Sequence, residues 1–151
     1  MELTEFITPQ LIILELKANK KVDAIKELID LIDKAGYVSD TETFLKSVLE
    51  REKVGSTGIG KGIAIPHSRT STVREVVVAI GRSKEGIEFD SLDGKPVNLI
   101  FLIAAPIESG GLYLKALARL SRLLRYQEFR NELLEAQAVE DIINIISAEE
   151  K

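Results

Sequence analysis

From Val97 to Ala105 the chain reads VNLIFLIAA and is stopped by Pro106. A run this apolar offers no face to water. Its longest unbroken stretch, Leu99 to Pro106, is far too short to cross a bilayer, which leaves a strand inside a globular core. Such a strand needs cover on both sides, and the neighbouring patterns supply it in alternation. Leu11–Leu16 (LIILEL) is a short apolar run suited to a strand. Val22, Ile25, Leu28, Ile29 and Ile32 recur at helical spacing, and Gly36 follows as a stop. Ser39-Asp40-Thr41-Glu42 has the spacing of a capping box opening a second helix, with Phe44, Leu45, Val48 and Leu49 inward and Arg51 near its end. Ile63–Ile65 reads as a strand halted by Pro66, and Val73–Ile80 as a buried strand. Turn signals fill Gly86–Pro96, Asp93-Gly94 among them. Leu112–Leu124, Phe129–Ala136 and Val139–Ile146 return to helical periodicity.

Interleaved strands and helices predict an α/β (α+β) fold: a central mixed sheet flanked by helices on both sides. No linker-like stretch divides residues 1–151, so one domain is expected. A net charge of −4 argues against broad nucleic-acid binding. The absence of cysteine removes thiolate chemistry and disulfides, and a single histidine argues against a zinc site. MELTEFITPQ lacks the basic start and apolar run of a signal peptide, so a cytoplasmic chain without membrane insertion is expected.

The chemistry concentrates in GSTGIGKGIAIPHSRT, residues 55–70, which holds four glycines and His67, the chain's one histidine. The segment nearly matches a phosphate-binding nucleotide loop, with Gly55, Gly60 and Lys61 in place. Gly62, however, stands where the magnesium-binding hydroxyl belongs. The context also differs, because a helix enters and a strand leaves. A dinucleotide fingerprint fails as well, since Gly58-Ile59-Gly60 lacks the third glycine at position 63. What remains is a glycine turn in front of a histidine.

His67 lies just past the expected strand end, behind a proline and beside Ser68 and Arg69. Loops at strand ends are where a rigid α/β scaffold presents functional groups. Ser56 and Thr57 offer hydroxyls, glycines such as Gly58 let backbone N–H groups converge on an anion, and Arg51 supplies a permanent cation. Those parts suit a phosphohistidine: a neutral imidazole accepts a phosphoryl group, donors hold it, and the labile P–N bond releases it to a second acceptor. Such a carrier needs no nucleotide, metal or other cofactor. General-base hydrolysis is less favoured, because no nucleophile motif or paired acid accompanies His67.

REKVGSTGIGKGIAIPH, residues 51–67, resembles the signature of enzyme IIA of the fructose/mannitol class in the bacterial sugar phosphotransferase system, a class that includes nitrogen-regulatory IIA proteins. DSLDGKPVNLIFLIAAP and LYLKALARLSRLL continue the resemblance. It implies a cytoplasmic phosphocarrier with His67 as the phosphorylated histidine and Arg51 beside the phosphate. The implied donor is the histidine-containing phosphocarrier protein, and the acceptor a sugar-specific IIB component or a regulatory target. The alternative it implies is a nitrogen-type regulator, in which the phosphorylation state of His67 controls partner binding.

One position departs from the family pattern: Tyr113 stands where members commonly carry a second histidine. A phenol donates one hydrogen bond to a phosphoryl oxygen but does not become cationic near neutral pH. Tyr113 also has a purely structural reading, as the first amphipathic residue of the helix, packing with Leu117. Lys115, Arg119 and Arg122 share one helix face, either as a solvated row or as a docking strip for an acidic partner.

Overall fold

A computed structural model describes residues 1–151. Its helices are α1 (Lys21–Lys34), α2 (Thr41–Val54), α3 (Gly110–Leu123), α4 (Gln127–Glu135) and α5 (Val139–Glu149). Its strands are β1 (Ile12–Ile13), β2 (Gly58–Gly60), β3 (Ile63–Ala64), β4 (His67–Arg69), β5 (Val77–Ile87) and β6 (Val97–Ala105). They form one sheet in the order β1-β5-β6-β3-β2, with β4 following β3 along the same edge of β6. β6 runs antiparallel to β5, from Val77↔Ala104 to Ile87↔Val97, and parallel to β3 and β4. The sheet is therefore mixed, as the sequence predicts.

The central strand is VNLIFLIAA, and every residue in it except Asn98 is buried. Leu99, Phe101, Ile103 and Ala105 face a core shared with α3, α4 and α5. Ile100, Leu102 and Ala104 face a second core shared with α1 and α2. Pleating alternates the side chains between these two cores, so an apolar residue is required at every position. Burying each large one contributes about 1.5–3 kcal/mol. Asn98 is the exception with a reason: it lies opposite the place where the β5–β6 register shifts, and its Nδ2 donates to Ser83 O at 2.9 Å.

Four local expectations are corrected. Leu11–Leu16 pairs as a strand only at Ile12–Ile13, because Pro9–Leu11 winds into a 3-10 turn. β5 begins at Val77, while Val73 makes an isolated bridge to Val38; at its other end β5 runs through Gly86 to Ile87. Asp40, rather than Ser39, caps α2: its carboxylate accepts from Thr43 N at 3.1 Å and Thr43 Oγ1 at 2.7 Å. These bonds hold the Asp40 carboxyl below its ordinary range, and Ser39 Oγ instead donates to Thr72 O. Finally, the chain does not leave the sheet after Pro66. It resumes pairing at once, with His67 opposite Ile103 and Arg69 opposite Ala105.

Candidate functional site

The glycine segment is a hairpin. β2 pairs antiparallel with β3, and Gly60, Lys61 and Gly62 turn between them with φ of 98°, 59° and 78°. From this hairpin the chain runs along β6 as β3, Ile65, Pro66 and β4, so side chains at alternate positions share a face. Ile63 and Ile65 point into the core beneath α3. His67 and Arg69 continue that series, whereas Ser68 turns the other way and meets the Ser47 hydroxyl of α2.

β4, whose last residue Arg69 lies opposite Ala105, ends beside the point where β6 itself ends. β6 passes through Pro106 and a 3-10 turn, Ile107–Ser109, directly into α3. The first turn of α3 therefore stands over β4. Tyr113, in that turn, brings its ring to 6.0 Å from the His67 ring, tilted by 56°. Arg69 lies over the Tyr113 ring as well, its Cζ 5.4 Å from the ring centroid. Carboxyl ends of parallel strands facing a helix N-terminus are a recurrent place for ligands in α/β folds.

His67 is half-buried, and its Nδ1 lies 2.7 Å from Ile65 O. A carbonyl can only accept, so Nδ1 carries the proton and Nε2 keeps its lone pair. Burial pushes the imidazole pKa below 6.5, and the charge of Arg51 adds to this. The bond to Ile65 O and the charge of Glu52 act in the opposite sense but do not prevail. The ring is therefore neutral at physiological pH and nucleophilic at Nε2. Burial also pushes the Tyr113 phenol up to about 12, against the pull of Arg69 and Arg51, so it remains a hydrogen-bond donor across the working range.

The structure thus brings His67, Arg51 and Tyr113 into one electrostatic neighbourhood. Arg51 is anchored there by Nη1, which donates to Gly55 O at 2.8 Å. Ser56, Thr57 and Gly58 are placed differently, because their donors already have partners. Thr57 N donates to Glu52 Oε1 at 3.0 Å, and Thr57 Oγ1 donates to the same carboxylate. Gly58 N donates to Ser56 Oγ at 3.1 Å, and Ser56 Oγ in turn donates to Phe89 O at 3.2 Å. Gly58 has a packing reason to be glycine, since a Cβ there would stand 3.0 Å from Ser91 Cα. Glu52 is buried and also pairs with Lys21 Nζ at 2.8 Å, which fastens the hairpin to α1 and α2.

Two features escaped the sequence reading. Arg69 was visible beside His67, but only strand alternation puts it on the histidine's face. Glu52 carries no signal in the sequence, and only the fold reveals it as the hairpin's acceptor. The basic row on α3 is broken: Arg119 donates to Met1 O and pairs with Glu150 at 3.2 Å, so only Lys115 and Arg122 remain exposed.

Residues 5–149 match the family model described as phosphoenolpyruvate-dependent sugar phosphotransferase system, EIIA 2. The chain belongs to this EIIA family. It is 43% identical over 151 residues to the fructose-specific EIIABC component of Bacillus subtilis, covering 100% of this chain but 24% of that protein. It is 41% identical over 150 residues to the fructose-specific EIIA component of Haloferax volcanii, covering 97% of each. Among solved structures, nitrogen regulatory protein IIA-Ntr from Neisseria meningitidis superposes with a TM-score of 0.88 at 30% identity, covering 95% of this chain and 97% of that one. The EIIA fold is thus shared by sugar-type and nitrogen-type relatives. No helix of this EIIA chain is long and apolar enough to cross a membrane.

Proposed function

We infer that this EIIA protein is a phosphoryl carrier in which His67 Nε2 accepts the phosphoryl group. The observation that carries the reading is the 2.7 Å contact between His67 Nδ1 and Ile65 O, which fixes the tautomer and presents Nε2 as the nucleophile. The Nε2 lone pair forms the new N–P bond as the donor's bond to phosphorus breaks, and that bond's electron pair returns to the donor. The proton stays on Nδ1, which donates it to Ile65 O as a hydrogen bond throughout, so no base is needed. Arg51 stabilises the charge on the phosphoryl oxygens, and the Tyr113 hydroxyl donates to one of them. Ser56, Thr57 and Gly58 contribute by holding the hairpin's shape, since their donors are engaged within it.

The phosphoryl donor in this reading is a histidine-containing phosphocarrier protein in the cytoplasm, and the acceptor is a IIB component. Family membership supports the first, and the name of the Bacillus subtilis relative, an EIIABC component, supports the second. A regulatory role, in which His67 phosphorylation controls a partner's binding, is supported by the likeness to the nitrogen regulatory IIA structure.

Incubation with phosphoenolpyruvate, enzyme I and the carrier protein, followed by intact-mass measurement at alkaline pH, tests the carrier reading. One acid-labile phosphate is expected, absent in His67→Ala and formed more slowly in Arg51→Ala. A chain that takes up no phosphate from several carrier proteins would overturn it. Because the imidazole pKa is depressed, the rate should hold steady as pH falls to about 6.5, where an ordinary histidine would already be half protonated.

A further inference from the structure

The positive groups facing His67 are unequally provided for. The chain's ion pairs are Lys21–Glu52 and Arg119–Glu150, so Arg69 has no carboxylate partner. Its exposed guanidinium lies over the Tyr113 ring, with Nη1 close to Gly110 at the start of α3. The α3 N-terminus is itself uncapped by any side chain and has no acidic residue in its first turn; Ser109 Oγ donates instead to Pro106 O at 2.7 Å. Tyr113 is only 6% exposed, and its hydroxyl, which makes no hydrogen bond within the chain, is the part that reaches solvent. A guanidinium without a carboxylate partner, the positive end of a helix and a phenol without a partner in the chain thus lie together.

The sequence of the first turn points the same way. Gly110 has ordinary helical geometry, with φ of −45°, so its backbone does not require glycine, and a helix start is weakened by it. What glycine provides is room: a Cβ at position 110 would stand 2.9 Å from Arg69 Nη1. The next residue, Gly111, opens onto free space. Helix stability is given up where a side chain would crowd the Arg69 guanidinium and narrow the approach.

We propose that Arg69, the Tyr113 hydroxyl and the N-terminus of α3 form a phosphate-binding half-site facing His67, in which Arg69 is the cation that holds the phosphoryl group during transfer. The inference rests on the reading of His67 as acceptor and adds a second, pH-independent cation to it. Arg51 has one nitrogen committed to Gly55 O, whereas all five N–H donors of Arg69 are free for a bidentate grip on phosphoryl oxygens.

The test uses the full chain in two arms. In the first, single-turnover transfer from the phosphorylated carrier protein is timed for wild type, Arg69→Met, Arg69→Lys and Gly110→Ala. Arg69→Met should still take one phosphate but about 10–100-fold more slowly, and Arg69→Lys should recover part of the rate because it keeps the charge and loses the fork. Gly110→Ala should melt at a higher temperature and yet transfer more slowly, a combination that a merely structural glycine would not give. In the second arm, inorganic phosphate is titrated while the backbone amides of residues 110–112 are followed by NMR. These should shift in wild type and not in Arg69→Met. An arginine that only docks the donor protein would slow transfer while leaving the phosphate titration unchanged, and that result overturns the proposal. Arg69→Met transferring at the wild-type rate overturns it as well. If wild type takes up no phosphate at all, the His67 reading fails, and the titration alone then decides whether the half-site exists.

Discussion

Two walls flank His67, and they differ in how their hydrogen-bond donors are used. On the hairpin side, Thr57, Gly58 and Lys61 all give their backbone N–H groups to internal acceptors: Glu52, Ser56 and Asp93. On the α3 side, Arg69 and the Tyr113 hydroxyl give theirs to none. The glycine-rich wall looks like the phosphate cradle in the sequence, but it is the saturated one. Saturation belongs to scaffolding, since a donor already bonded must break a bond to bind anything else. The unsaturated wall is stabilised mainly by burial, and it keeps its polar groups available for the ligand. A variant on the hairpin side should therefore register first as lost stability, and one on the α3 side as lost transfer.

The largest effect that tests this contrast is at Glu52. Glu52→Ala leaves the Thr57 donors and the Lys21 ammonium without their shared partner inside the structure. A buried pair broken from one side costs about 3 kcal/mol, so thermal unfolding should fall by roughly 6–12 °C. The contrast breaks if Glu52→Ala melts like wild type and only transfers more slowly, because the hairpin would then be acting chemically rather than as a support.

Tyr113 probes the other wall with an intermediate effect. Tyr113→Phe keeps the ring under Arg69 and removes only a hydroxyl that has no partner in the protein. Stability should stay within about 0.5 kcal/mol of wild type, while phosphoryl acceptance slows about 10-fold through the loss of one hydrogen bond to a charged oxygen. Tyr113→His sharpens the same comparison. A ring that can become cationic should transfer faster to a IIB partner, and the gain should shrink as pH rises and the imidazole loses its proton. If Tyr113→Phe loses stability and keeps its rate, the tyrosine belongs to the core alone.

How much of this was legible in the sequence follows from the range of the interactions. VNLIFLIAA fixes its own role, because no other environment accepts a run without a polar face. His67 stood out by residue type and by its place behind Ile63–Pro66. Arg51 was recognisable from the resemblance, and its charge does reach the histidine. The saturation of the hairpin was not legible. It depends on Glu52, five residues from Thr57 across a chain reversal, and on Phe89 and Asp93, which a distant turn returns to the glycines. Arg69 was hidden differently, since the sequence ended the strand at Pro66. Had pairing been extended through His67, alternation alone would have put Arg69 on the histidine's face.

The smallest effect concerns the histidine between the walls. Its folded pKa is depressed, so below the ordinary histidine range the unfolded chain binds a proton that the folded chain resists. Stability therefore rises with pH in that window: His67 costs nothing above 6.5 and becomes a liability as pH falls toward its folded pKa. Other groups, chiefly carboxylates, titrate nearby, so the quantity to measure is a difference. Urea unfolding of wild type and His67→Gln, followed from about pH 7.5 to about pH 5.5, should show the wild type losing more stability than the variant. Equal losses would mean that His67 protonates as easily in the fold as out of it. The walls would then be too wet to depress it, and the same water would weaken the grip of Arg69 and Tyr113 on a phosphoryl group.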